Sequence, residues 1–207
     1  VGLVAVLAGV ALWVLFGRQQ QEESPQERWR RELAVELGTL GRGQWAASEK
    51  IRRSLPMEKP GRITVHHSGG AVFTAIERGP VGRAIKAIQE THINSNGWDD
   101  IGYHLVVDPA GRAWEGRPLD RIGAHAGSGG LNKGNIGILL LGNFDLQQPT
   151  AAQLGRLDEL LLRLRRRFKI ERGKIYTHNA IRALEKLGPT ACPGKHLSEW
   201  LKTRREK

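Results

Sequence analysis

The chain has a single cysteine, Cys192, so no internal disulfide framework can staple it. Neither H-E-x-x-H nor C-x-x-C occurs, which removes the two short zinc signatures that can be read without context. Acidic residues are outnumbered, 21 against 32 Lys and Arg, and the net charge of +11 excludes an acidic disordered chain. Aromatics are scarce at 6%, yet six of them are Trp and hydrophobic residues reach 40%, enough to bury a core. The 26 glycines follow no G-X-Y period, so they read as turns between short strands. With 207 residues there is room for one sizeable domain plus an appendage, or two small domains.

Charge is unevenly spread. Residues 1–150 hold 17 basic and 15 acidic residues, a net of +2, whereas residues 151–207 hold 15 and 6, a net of +9. Such a surplus is either a solvated basic helix and tail or an attraction to a polyanion. No nucleic-acid motif accompanies it, so nucleic acid is not an expected partner.

Residues 1–17 (VGLVAVLAGVALWVLFG) carry no charge. At about 1.5 Å per residue they reach roughly 25 Å, slightly short of a hydrocarbon core of about 30 Å. No polar face exists, so a membrane segment is expected rather than a core helix. No small-x-small cleavage site follows Phe16, which favours an uncleaved anchor. Residues 18–58 read as a helical stalk or linker. Pro25 can start a helix, Trp29, Leu33, Leu37 and Leu40 follow at helical spacing, and a second short helix is expected from Ala46 to about Leu55. A domain at 59–207 follows, and a chain beginning near Glu58 is expected to be soluble by itself.

Within that domain, Ile63–Ser68 alternates and meets Gly69-Gly70, a strand ending in a turn. Val81–His92 has helical spacing. Ile101–Val107 alternates, with Ile101, Tyr103, Leu105 and Val107 expected on one face, and Asp108-Pro109-Ala110-Gly111 turns it into a hairpin. Asn135–Asn143 is an apolar run suited to a central strand buried on both faces. Thr150 with Gln153 fits a capping box opening a helix whose stripe is Leu154, Leu157, Leu161, Leu164 and Phe168. Lys174–His178 is a further short strand, and Leu197–Arg204 a closing helix. The fold class is α/β: a mixed central sheet flanked by helices.

Seven His and one Cys are the informative residues. His66 and His178 end strands, and Cys192 lies in the rigid turn Pro189–Gly194. Three such donors suit a Zn2+ site with an open fourth position, the catalytic rather than the closed arrangement. From spacing alone, the cysteine can equally be an apolar filler and the histidines hydrogen-bonded structural groups. Cys192 and His196, four apart, can also share a metal.

Six segments occur in order: ITVHHSG at 63–69, DDIGYHLVVDPAGRAWEGR at 99–117, GAHAG at 123–127, NIGILLLGNF at 135–144, TH at 177–178 and GPTACPG at 188–194. Together they resemble the zinc-dependent N-acetylmuramoyl-L-alanine amidases of the phage-lysozyme and peptidoglycan-recognition-protein type, over roughly residues 60–205. The resemblance implies a peptidoglycan-recognition-protein/amidase-like fold and Zn2+ held by His66, His178 and Cys192. It implies that Tyr103 lines the metal site and hydrogen-bonds the developing oxyanion, and that His125 contacts substrate in the groove. The position two before the cysteine holds Lys in the phage enzymes and Thr in many recognition proteins. Here it is Thr190, a hydrogen-bond donor without charge. Arg117 has a family counterpart, and a salt bridge inside the hairpin is the role expected of it. His178 and Cys192 enclose 13 residues, a longer loop than the family's usual one, so 179–187 is expected as an insertion at the groove rim.

The implied function is hydrolysis of the amide joining N-acetylmuramic acid to L-alanine of the stem peptide, by zinc-activated water. The alternative is a module that binds peptidoglycan or muropeptide without cutting it. The chain is expected to act as a monomer. Residues 1–17 would anchor it to the membrane, with the catalytic domain on the extracytoplasmic, wall-facing side.

Overall fold

A computed structural model describes residues 23–49 and 54–205. The anchor expected at residues 1–17 lies outside the described residues. Among the described residues, no helix is long and apolar enough to cross a membrane.

The first helix, α1 (Pro25–Leu37), has Pro at its start and Ser24 as N-cap, in a capping box with Glu27. It stops at Gly38, whose φ of 60° is the left-handed conformation that glycine adopts without steric cost. The six-stranded sheet comprises β1 (Thr39–Leu40), β2 (Arg62–His67), β3 (Leu105–Val107), β4 (Ala113–Glu115), β5 (Asn135–Leu140) and β6 (Ile175–Thr177). Its order is β1-β4-β3-β5-β2-β6, and every pairing is parallel except the β3–β4 hairpin. The expected mixed α/β class is therefore correct.

Strand β5 sits between β3 and β2 and all six of its residues are buried. Its even-numbered side chains Ile136, Ile138 and Leu140 meet one core with α4 (Ala151–Phe168) and α6 (Lys195–Arg205). Leu139 faces the other core, with Val81 and Ile85 of α2 (Arg78–Asn94). A single helical turn, α3 (Gly129–Asn132), precedes β5, and α4 opens with the Thr150–Gln153 capping box and buries Leu157, Leu160, Leu161 and Leu164.

Residues 18–58 are not a detached stalk where they are described. Leu33 and Leu37 of α1 are 2% and 1% exposed within the same core as β2 and β5. β1 extends the sheet beside β4. A 3-10 turn at Arg42–Trp45 buries Trp45, whose indole N–H donates to Glu115 O at 2.8 Å. Arg42 reaches across to Asp100 Oδ2 at 2.9 Å, and Asp100 is fully buried. The helix expected at Ala46–Leu55 does not form among its described residues. Ala46 takes a left-handed φ of 53°, and Ser48 turns its backbone N–H to Gln89 Oε1 at 2.8 Å instead.

Of the strand expected over 101–107, only Leu105–Val107 forms. Ile101 and Tyr103 pack with Val106, on the opposite side from Leu105 and Val107. Alternation fails because the carbonyls of 100–102 are claimed elsewhere. Arg117 donates Nη2–H to Asp100 O (3.0 Å) and Nε–H to Ile101 O (2.8 Å), and Ala124 N–H reaches Gly102 O at 3.0 Å. Arg117 also donates to Ile122 O at 2.7 Å. It clamps two loops through carbonyls and makes no hairpin salt bridge, contrary to expectation.

Candidate metal centre

The parallel register of β2 and β6 pairs Val65 with Thr177, so His66 and His178 follow side by side at the same end of the two strands. Their ring centroids are 4.6 Å apart. Thr177 caps α5 (His178–Ala183) by accepting from Ala180 N–H, which makes His178 its first residue. Cys192 is drawn in from its turn: its carbonyl accepts from Asn179 N–H at 3.2 Å, and its sulfur accepts from His67 N–H at 3.4 Å. The ligand atoms of His66, His178 and Cys192 all lie within 4.8 Å of one another.

The donor set fits a zinc ion on three observations. His178 Nε2 is buried and has no hydrogen-bond partner among the described residues, a costly state that a cation would relieve. His66 Nδ1 lies 3.6 Å from Cys192 Sγ. Zinc bonds of about 2.0 Å to nitrogen and 2.3 Å to sulfur, at a tetrahedral angle, separate two such ligands by about 3.5 Å. Two imidazoles and a thiolate also match the borderline softness of Zn2+.

Electrostatics point the same way. Burial, followed by the neighbouring histidines, holds His66 well below the ordinary imidazole range. Burial and then Arg182 bring His178 down to about 4. Both are therefore neutral near pH 7, the ligand form. Burial pushes the Cys192 thiol up to about 12, although the His67 N–H works against this. Only a nearby cation makes that thiol a thiolate at neutral pH.

Tyr103 stands beside the trio, its ring centroid 5.0 Å from that of His66. Burial, then Cys192, raises its phenol, so it keeps its proton. A cleft of about 450 Å³ opens here, with Trp98, Tyr103, Ser128, His178 and Arg182 in its walls. The segment 179–187 forms part of its rim, where Ser128 Oγ donates to Glu185 Oε2 at 2.6 Å. Thr190 accepts from Cys192 N–H at 3.2 Å through Oγ1, which leaves its own hydroxyl hydrogen free to donate.

The structure thus brings His66, His178, Cys192 and Tyr103 together. His196 stays out: its Nδ1 pairs with Gln148 Nε2 at 2.9 Å, so no Cys192–His196 site forms. His67 turns to the other face, its Nδ1 accepting from Phe144 N–H at 3.2 Å. His125 borders the cleft but is 5% exposed, and both its ring nitrogens have protein partners, His66 Nε2 and Asn135 O. Sequence reading missed Asn135, Asn132, Trp98 and Arg182. Asn135, a polar residue opening an apolar run, carried a usable signal.

The chain matches the family described as N-acetylmuramoyl-L-alanine amidase over residues 56–195. It is 31% identical to peptidoglycan-recognition protein LE of Drosophila melanogaster over 190 residues, covering 91% of this chain and 50% of that protein. It is 29% identical to N-acetylmuramoyl-L-alanine amidase of Sus scrofa over 163 residues, covering 78% of this chain and 26% of that one. The chain thus spans half or less of these two relatives. A crystal structure of peptidoglycan recognition protein-LE, in complex with tracheal cytotoxin (monomeric diaminopimelic acid-type peptidoglycan), superposes with a TM-score of 0.68 at 28% identity. That superposition covers 80% of this chain and 92% of the other.

Proposed function

We propose, on the premise that this chain belongs to the N-acetylmuramoyl-L-alanine amidase family, that it hydrolyses the amide between N-acetylmuramic acid and L-alanine in peptidoglycan. The observation that carries this reading is the cluster of His66, His178 and Cys192, with Tyr103 beside His66, at a cleft that His178 and Tyr103 line. A module that only holds muropeptide has no use for a half-buried thiol within ligand distance of an orphaned imidazole nitrogen.

His66, His178 and Cys192 would hold Zn2+. When bound, the ion supplies Lewis acidity, making water nucleophilic near neutral pH and polarising a carbonyl. Hydrolysis adds water to the lactyl carbonyl carbon and breaks its C–N bond, and negative charge gathers on the carbonyl oxygen on the way. Tyr103, kept protonated by burial, is a donor in this cleft suited to that charge, and Thr190, two residues before Cys192, would offer a second hydroxyl. Their placement before charge develops is what gives such donors their effect. Arg182 anchors its Nε–H on Gly188 O at 2.7 Å and adds positive charge to the wall beside His178.

Digestion of peptidoglycan by the full chain, followed by mass spectrometry, tests the reading. Free stem peptides with an L-alanine amino terminus are expected. Tyr103→Phe preserves the ring volume and the metal ligands, so it should keep zinc and fold while turnover falls about 10²–10³-fold. Activity within about threefold of the parent would reduce Tyr103 to packing. No release by the parent at full zinc content would leave the binding module as the function.

The same reading tethers the chain to a membrane through residues 1–17, with the domain facing the wall. Full-length protein should then sediment with membranes. Recovery of a mature protein beginning after Gly17 in the soluble fraction would indicate a cleaved signal instead.

A further inference from the structure

We propose that His125 is a positioning residue for the metal ligand His66, fixing through a backbone carbonyl which nitrogen of His66 faces the metal. The proposal rests on the reading of the trio as a metal site.

The chain of contacts runs one way. His125 Nε2 lies 3.2 Å from Asn135 O, and a carbonyl can only accept, so that nitrogen carries hydrogen. In an uncharged ring the other nitrogen, Nδ1, is then the acceptor. It lies 3.0 Å from His66 Nε2, which must donate. His66 Nδ1 is left with a bare lone pair, and it is this nitrogen that stands 3.6 Å from Cys192 Sγ. One carbonyl oxygen, two imidazoles away, thus selects the ligating tautomer. An outer partner that fixes tautomer and ring orientation is the usual support of a metal-bound histidine.

Each link is itself held. The two rings meet edge to face, with centroids 5.0 Å apart and planes at 82°. Asn132 Oδ1 accepts from both His125 N–H and Ala126 N–H at 2.9 Å, which pins the backbone of the GAHAG loop. The Asn135 side chain accepts from Thr64 Oγ1 at 3.0 Å and donates to Leu131 O at 2.8 Å, so the residue carrying the terminal carbonyl cannot turn. Room for the ring comes from Gly137, the β5 residue paired with Thr64, where a Cβ would lie 2.6 Å from His125 Cδ2. A loose substrate-contacting side chain needs none of this. With both nitrogens engaged, His125 has no polar ring atom left for a ligand.

Histidine nitrogen NMR on the ¹⁵N-labelled full chain reads the tautomers directly, with and without zinc. The expected result is hydrogen on Nε2 of both His66 and His125. Hydrogen on Nδ1 of either ring overturns the proposal, and the measurement needs no variant to fold. Zinc affinity, measured by chelator competition, supplies the second arm. His125→Leu removes the acceptor and should weaken zinc about 10–100-fold. His125→Gln can accept from His66 through Oε1 and donate to Asn135 O, and should stay within about threefold of the parent. Unchanged affinity in the Leu variant, or equal losses in both variants, would assign His125 to packing. Weaker muropeptide binding at unchanged zinc affinity would return it to substrate contact. Neither arm requires amide cleavage, so a chain that holds zinc without cutting peptidoglycan would sink the proposed activity and leave this inference standing.

Discussion

A chain cut back to residues 59–207 is expected to lose cooperative folding, although the cut falls just where the recognisable motifs begin. It removes Leu33 and Leu37 from the core beneath β2 and β5, and Trp45 from the core beneath α2. Truncating a single buried leucine or tryptophan costs about 2–5 kcal/mol, and a domain's whole stability is about 5–15 kcal/mol. The cut also strips Arg42 from Asp100, which is fully buried and bonds Gln89 Nε2 at 2.6 Å and Ile101 N–H at 2.8 Å. Leaving one partner of a buried ion pair alone costs about 3–5 kcal/mol. Asp100 begins the loop that delivers Tyr103, so the damage reaches the site as well as the core. Thermal unfolding followed by circular dichroism decides the matter: the full chain should melt cooperatively and the shortened one should show no sharp transition. A shortened chain melting within a few degrees of the parent would show that α1 and the 3-10 turn are accessories. Leu33→Ala in the full chain is the milder version, with an expected loss of about 2–5 kcal/mol.

Loss of a direct metal ligand should be the most severe change at the site. Cys192→Ser replaces a soft thiol with a hydroxyl that ionises far less readily, and His178→Ala removes the nitrogen that has no other partner. Each should abolish stoichiometric zinc, an effect larger than the about 10–100-fold expected of an outer partner such as His125. Peptide release should fall to background in both. His196→Ala is the control, since its ring pairs with Gln148 away from the trio and zinc should be retained. Metal analysis of the purified variants reads the outcome, and one equivalent of zinc in either ligand variant would refute this ligand set. Zinc binding should also release a proton from Cys192, whose thiol is held up near 12 without a cation. Affinity should therefore weaken as pH falls and protons compete for the sulfur and the imidazoles.

Local chemistry made much of the fold legible. Helix starts at Pro25 and Thr150 follow from which residues can open or cap a helix, and each was found in place. The run from Asn135 announced a strand buried on both faces because no residue from 136 to 141 is polar. His66, His178 and Cys192 could be singled out as candidates because their motifs keep a family order, and the fold brings their ligand atoms within 4.8 Å of one another.

What the sequence left open is what each surface meets. The leucine stripe of α1 reads the same whether it stands on a stalk or lies on the sheet, because periodicity marks an apolar face without naming its partner. Alternation predicted a strand through Tyr103, but Arg117 and Ala124 take the carbonyls a ladder would have used, and both contacts cross turns that local pattern does not encode. The partners of His125 lie furthest from local sequence. Its nitrogens are claimed by a ring 59 positions before it and a carbonyl 10 positions after it, and only the folded sheet brings those atoms within hydrogen-bonding distance.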